Sequence, residues 1–328
     1  MRAKLFIASA LVAIGWAVPS AGTAPFIARA ASRSAAVARS VPQPARFRLS
    51  KDRGLLLDTW INGRGPYVFA LDTGAGMNVV TQRVVSELQL TTRSARTTVI
   101  GGLTAARTTS NREAVINQLS LGEPRNPLPS GSTAVVVASL ASGIDGILDP
   151  TEVYSPLGFS IDFPKQRIEA VDTSTNGLRR GQTAIEGAVV PWLRLGDSSR
   201  PFVRLGDGRL ALVDTGSSFG LAVNNRNAVI VGSRNGNRPS PAARDIAGGT
   251  ITSRRVAPTT ISIGELVLRR VPTDILFGID DNAPLILGRD VLNPFKITFD
   301  PQRRLIEFVT SDKNSSATDK NQLSTWPF

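Results

Sequence analysis

From residue 47 to residue 310 the apolar positions come in short runs of Val, Ile, Leu, Phe and Thr, broken by Gly, Pro, Asn and Asp. Few stretches carry the spacing of an amphipathic helix. Runs of this length bounded by turn residues predict an all-β chain. One apolar stretch stands apart, at residues 5–18. Arg2 and Lys4 precede it, and Pro19, Ser20, Ala21 and Gly22 close it. A basic start, a short apolar core and small residues are the pattern of an export signal. The stretch is shorter than the roughly 20 residues that span a bilayer. Residues 1–22 are therefore expected to be a signal peptide and residues 23–46 a linker rich in Ala, Ser, Arg and Pro. That places the protein in the periplasm or outside the cell, with no stable membrane insertion once the signal is cleaved.

The β pattern is written twice. Phe69-Ala70-Leu71-Asp72-Thr73-Gly74-Ala75 returns as Ala211-Leu212-Val213-Asp214-Thr215-Gly216-Ser217. Each copy follows a strand with a Gly turn, Asn62-Gly63 in the first and Gly206-Asp207-Gly208 in the second. Ile100-Gly101-Gly102 is answered by Ala247-Gly248-Gly249, and Leu119-Ser120-Leu121-Gly122-Glu123 by Ile261-Ser262-Ile263-Gly264-Glu265. Gly122 lies 50 residues after Asp72, and Gly264 lies 50 after Asp214. Asp145-Gly146-Ile147-Leu148 pairs with Pro284-Leu285-Ile286-Leu287-Gly288, and each copy ends in a hairpin. Matching elements at matching spacing imply one structural unit used twice. The units are expected at residues 47–172 and 183–310, joined by the polar stretch 172–182 and followed by a polar tail at 311–328.

Composition narrows the chemistry. The chain of 328 residues has neither Cys nor His. Disulfides, thiol nucleophiles, Ser–His–Asp triads and the usual zinc hydrolase sites are excluded, and no metal or cofactor is expected. Hydrolysis would have to run on carboxylates, Lys, Tyr or hydroxyls. The formal charge of +12 suggests a nucleic-acid partner, but residues 1–46 supply six basic residues and no acidic one. The rest is scattered, aromatics make up 6% of the chain, and no basic run is interleaved with stacking rings. The charge reads as a solvated surface, and no nucleic acid is expected.

With the paired Asp-Thr-Gly motifs, the chain resembles the pepsin and retropepsin superfamily of aspartic peptidases, as a single chain containing both lobes. Asp-Thr-Gly-Ala and Leu287-Gly288-Arg289-Asp290 bring it nearest to the bacterial retropepsin-like members. The resemblance implies two homologous β-barrel lobes with the active site in the cleft between them. It implies a polypeptide substrate and a monomer that supplies both catalytic carboxylates, Asp72 and Asp214. Two carboxylates held close cannot both ionise, so one proton is shared; one member serves as base and the other as acid.

By the same resemblance, Thr73 and Thr215 interlock beneath the pair, and Gly74 and Gly216 present N–H groups to it. The Ser217 hydroxyl is expected to add a contact to Asp214 that Ala75 does not give Asp72, depressing the pKa on the Asp214 side. Gly101, Gly102, Gly248 and Gly249 fall where the family places the substrate-covering hairpins, although the first of these has no Tyr. Where the second copy has Ile286-Leu287-Gly288, the first has Ile147-Leu148-Asp149. Asp149 is expected on the surface, past the site; a carboxylate at the floor of the site is the alternative. The competing functional reading is a peptide-binding module that keeps the fold without catalysis.

Overall fold

Strand positions follow directly from which side chains are buried. In the strand Arg64–Leu71, Tyr67, Phe69 and Leu71 face the core, and by Ala70 both faces are covered. It forms a hairpin with Gly54–Ile61 through Asn62 and Gly63, both at positive φ (52° and 78°), the geometry that matches strand twist. The Asn62 side chain accepts from the N–H groups of Asn117 and Gln118, both at 3.0 Å, which fixes the turn to the bend between the strands Arg107–Ile116 and Leu119–Leu121. The computed structural model describes residues 41–101, 107–129, 131–140, 143–181, 187–196, 198–224, 239–244, 249–279 and 283–310. The signal expected at 1–22, most of the linker and the tail at 311–328 lie outside them.

The described residues are mostly β-strand and form three sheets. In the first, a seven-strand run has the order Gly54–Ile61, Arg64–Leu71, Gly146–Leu148, Val79–Thr81, Ser132–Val137, Arg107–Ile116, Thr92–Gly101. The second sheet runs Phe202–Arg204, Leu210–Val213, Leu285–Leu287, Leu221–Asn224, Leu266–Phe277, Thr250–Ile263, Pro239–Arg244. Position by position, the sense of pairing is identical. The second and third strands are parallel in both (Leu71 beside Leu148, Val213 beside Leu287), as are the fourth and fifth, and the others are antiparallel. Gly146–Leu148 and Leu285–Leu287 are only three residues long and sit mid-sheet, covered by neighbours.

The third sheet draws strands from both halves of the chain, in the order Ala45–Arg46, Arg167–Val171, Gly158–Asp162, Phe295–Asp300, Leu305–Thr310, Gly187–Pro191. Its central pairing sets Phe159 opposite Phe299 and Ile161 opposite Ile297. Phe159 and Phe299 stack with ring centroids 4.7 Å apart, and Trp192 meets Phe299 edge-on at 5.9 Å. All of these side chains are buried. Burying a ring of this size contributes about 1.5–3 kcal/mol, so this sheet is a strong fastening between segments far apart in sequence.

Two connecting segments are more ordered than their composition suggests. The end of the stretch read as linker forms a strand, because Ala45 and Phe47 are only 2% exposed and belong to the core. In the polar stretch 172–182, Asp172 caps the short helix Thr173–Asn176, and buried Leu178 donates its N–H to Asp300 Oδ2 at 3.1 Å.

Candidate active site

Asp72 and Asp214 each directly follow the second strand of their seven-strand run, and each is held by the third. The Asp72 N–H donates to the Leu148 carbonyl at 2.9 Å, and the Asp214 N–H to the Leu287 carbonyl at 2.9 Å. Adjoining parallel strands thus fix both aspartates at equivalent points.

Beneath them the two Thr side chains cross. Thr73 Oγ1 donates to the Val213 carbonyl at 2.7 Å and accepts from the Thr215 N–H at 3.1 Å. Thr215 Oγ1 donates to the Leu71 carbonyl at 3.1 Å and accepts from the Thr73 N–H at 3.1 Å. Both residues are fully buried. Four buried backbone groups on two distant segments are satisfied by two hydroxyls, so neither loop can shift without orphaning groups of the other.

The glycines explain how close the loops come. Gly74 N–H donates to Asp72 Oδ1 at 2.7 Å, and Gly216 N–H to Asp214 Oδ1 at 2.8 Å. Each also packs against the opposite aspartate: a Cβ on Gly74 would stand 2.9 Å from Asp214 Oδ1, and one on Gly216 2.5 Å from Asp72 Oδ2. Neither glycine has the positive φ of a tight turn. Close approach of the backbone to the other carboxylate is what requires them.

The two carboxylates lie within hydrogen-bonding reach of each other. Asp214 is buried and Asp72 partly exposed, yet for both desolvation is the leading influence, and it raises the pKa above the usual carboxylate range. The mutual repulsion raises Asp214 further. As a pair they hold a proton well above the pH at which separate aspartates would lose theirs.

The expected contribution of Ser217 takes another form. Its backbone N–H, at 3.1 Å, is what reaches Asp214 Oδ1, while its hydroxyl accepts from the Phe219 N–H at 3.4 Å. The pKa of Asp214 is raised, not depressed, because burial and the neighbouring Asp72 outweigh the two N–H donors.

Asp149 is not on the surface. It has no exposed area, and its Oδ1 accepts from the Thr151 N–H at 2.8 Å, capping the helix Pro150–Val153. Its own N–H donates to Asn78 Oδ1 at 2.9 Å. In the second half Gly288 N–H instead reaches the backbone carbonyl of Gly220 at 2.9 Å. Asn78 and Gly220 each lie six residues beyond their aspartate. A side-chain amide has replaced a main-chain carbonyl, and this leaves room for a carboxylate where the other half admits none: a Cβ on Gly288 would stand 2.4 Å from the Phe219 carbonyl.

Sequence reasoning gave Arg289 no role, yet it is 4% exposed beneath the Asp214 loop. Its Nη1 donates to the carbonyls of Thr215 (3.1 Å) and Gly216 (2.8 Å), and its Nη2 to those of Ser50 (3.3 Å) and Lys51 (2.5 Å). Its charge also lowers the pKa of Asp72, opposing the desolvation there.

Of the four glycines expected in covering hairpins, Gly101 ends the strand Thr92–Gly101 opposite Arg107, and Gly249 precedes Thr250–Ile263. Gly102 and Gly248 lie outside the described residues.

A family model described as aspartyl protease matches residues 57–148, a span that includes Asp72 and stops short of Asp214. No curated protein matches the chain. The Asp72 loop and the strand pair that holds it fall within the matched span, and residues 57–148 thus have the sequence of an aspartyl protease domain of the pepsin/retropepsin-like superfamily.

Proposed function

We propose that the protein is an aspartic endopeptidase whose catalytic residues are Asp72 and Asp214. The observation that supports this most directly is the crossed hydrogen bonding of Thr73 and Thr215, which brings the two carboxylates together from separate segments. In this reading the units at residues 47–172 and 183–310 are two copies of one β lobe. The third sheet joins them, and the carboxylates face a cleft between them. The matched strand order and pairing sense of the two seven-strand runs favour that duplication.

The chemistry follows from the shared proton. The ionised member of the pair takes a proton from water as the water oxygen attacks the peptide carbonyl. The protonated member gives its proton to the carbonyl oxygen, and the tetrahedral species collapses as a proton passes to the departing amine. An extended polypeptide pairing with strand backbone near Gly101 and Gly249 is the natural substrate for such a cleft. Both carboxylates come from one chain, so a monomer suffices.

The basic and apolar residues at 2–18 favour export to the periplasm or beyond. Among the described residues no helix is long and apolar enough to cross a membrane.

The test is incubation of the purified protein with a denatured protein at mildly acid pH. Cleavage should be blocked by a statine-type transition-state analogue and abolished by Asp72→Asn and by Asp214→Asn. Cleavage that survives either substitution rules the assignment out. Binding of peptides without cleavage by the wild type would instead support the non-catalytic module.

A further inference from the structure

The strand Gly146–Leu148 ends at the carbonyl that holds the Asp72 N–H, and the next residue is a carboxylate that the peptide-cleaving chemistry does not use. Asp149 is fully buried, and its Oδ2 has no hydrogen-bond partner among the described residues. The neighbouring Thr151 hydroxyl is buried as well and makes no well-formed hydrogen bond. No Lys or Arg pairs with Asp149 among the described residues. The charged groups that act on it are both acidic. One is Glu152, in the same helical turn and bound through Oε2 to Asn78 Nδ2 at 2.7 Å; the other is Asp72. Glu113 acts in turn on Glu152.

An unpaired carboxylate with a bare oxygen, no cation and two acidic neighbours is strongly disfavoured in the interior. The neutral acid escapes the charged part of that penalty, which is the larger. Burial first, then Glu152 and Asp72, push Asp149 up to about 7, against the N–H and the hydroxyl of Thr151, which favour the charged form. Position adds to chemistry. The Asp149 backbone is tied through its N–H and Asn78 to Ser132 and the Thr133 carbonyl, and the preceding carbonyl, of Leu148, holds Asp72. The second half has Gly288 here, so the arrangement marks the Asp72 side alone.

We propose that Asp149 is a positioning residue for Asp72: as a neutral acid it caps the turn that follows the strand holding Asp72, and on ionising it sets an unpaired negative charge behind Asp72 that makes the catalytic pair hold its shared proton more tightly. The kinetic part rests on the peptidase reading above; the electrostatic part does not.

The test compares the full chain with Asp149→Asn, which keeps the cap and the size but cannot ionise. Asp149→Ser serves as a second capping variant in case the first fails to fold. Thermal midpoints are measured from pH 3 to 9, in the wild type and in an Asp72→Asn background, together with the pH profile of kcat/KM. In the unfolded chain Asp149 ionises near about 3.9, so the wild type should lose stability relative to the variant as pH rises from there, levelling off near 7. In the Asp72→Asn background that upper break should move to lower pH. The basic limb of the rate profile should move to lower pH in Asp149→Asn, by about half a unit or roughly threefold in rate on that limb. A flat stability difference overturns the proposal, as does a break unmoved by Asp72→Asn or an unmoved basic limb. If the wild type cleaves nothing, the peptidase reading fails, and the two stability series still decide whether Asp149 is neutral and coupled to Asp72.

Discussion

Gly216 stands so close to Asp72 that a single methyl group at its Cα would lie 2.5 Å from the carboxylate Oδ2. The backbone of one loop is thus the wall against which the other loop's aspartate is set. Gly216→Ala is expected to displace Asp72, and Gly74→Ala to displace Asp214. A misplacement of about 1 Å lowers rates about 100-fold. Losses in kcat of that order, with a fold retained by circular dichroism, would bear this out; near-normal kcat in either variant would contradict it.

The crossed Thr pair makes a separate claim about stability. Thr73→Val removes the donor to Val213 and leaves the Thr215 N–H without its acceptor. Each orphaned buried group costs about 1–3 kcal/mol, so denaturant unfolding should report a loss of at least about 2 kcal/mol. Thr73→Ser retains the hydroxyl and should lose much less. The Thr73→Val/Thr215→Val double variant should lose less than the two single losses combined, since each single change already breaks the exchange.

Arg289 binds four carbonyls through a planar fork, which an ammonium group does not reproduce. Arg289→Lys should therefore be destabilising despite keeping its charge. Arg289→Met also removes the positive charge that lowers the pKa of Asp72. The acid limb of its rate profile should move to higher pH relative to Arg289→Lys. Identical profiles for the two variants would show that Arg289 acts through geometry alone.

The raised pKa of the carboxylate pair also has a sign that can be checked in the absence of substrate. A carboxyl that holds its proton in the fold binds more protons than in the unfolded chain, so stability is lost as pH rises from the unfolded value towards the folded one. Asp214→Asn removes that titration. Its thermal midpoint relative to the wild type should climb between about pH 4 and the upper pH of the pair, at up to about 1.4 kcal/mol per pH unit. A parallel pH dependence in the two proteins would refute the raised value. Asp214→Asn should be the more stable form at neutral pH, as expected where a site is held under electrostatic strain.

The meeting of the two Asp-Thr-Gly segments is legible in the sequence because both copies carry the same apolar strand, the same motif and the same spacing. The mixed sheet is less so. Nothing in Phe159 or Phe299 alone says that the two will stack, since each reads simply as an alternating strand residue. Asp149 is misleading for a physical reason: a charged residue after an apolar strand ordinarily marks the exit to solvent. Yet Asp149-Pro150-Thr151-Glu152 has the form of a helix start, an acidic cap, Pro in the first position and Glu three residues on. Read that way, it points to a carboxylate turned back onto the backbone. The role of Arg289 could not be read locally, because two of its partners, Ser50 and Lys51, are more than 200 residues away.

The mixed sheet has a consequence in time as well as space. Its centre joins Gly158–Asp162 to Phe295–Asp300, and Leu305–Thr310 lies on the far side of that pairing. Segments so distant in sequence meet late, because the intervening chain must be closed before any contact rewards it. Asp214 has its strand partner only when Leu287 is in place, and Asp72 has Thr215 beneath it only when the second half has docked. A nascent chain that has folded only its first half therefore holds one carboxylate and no shared proton. In the peptidase reading, such a chain gains the means to cleave peptides only once the second half has docked.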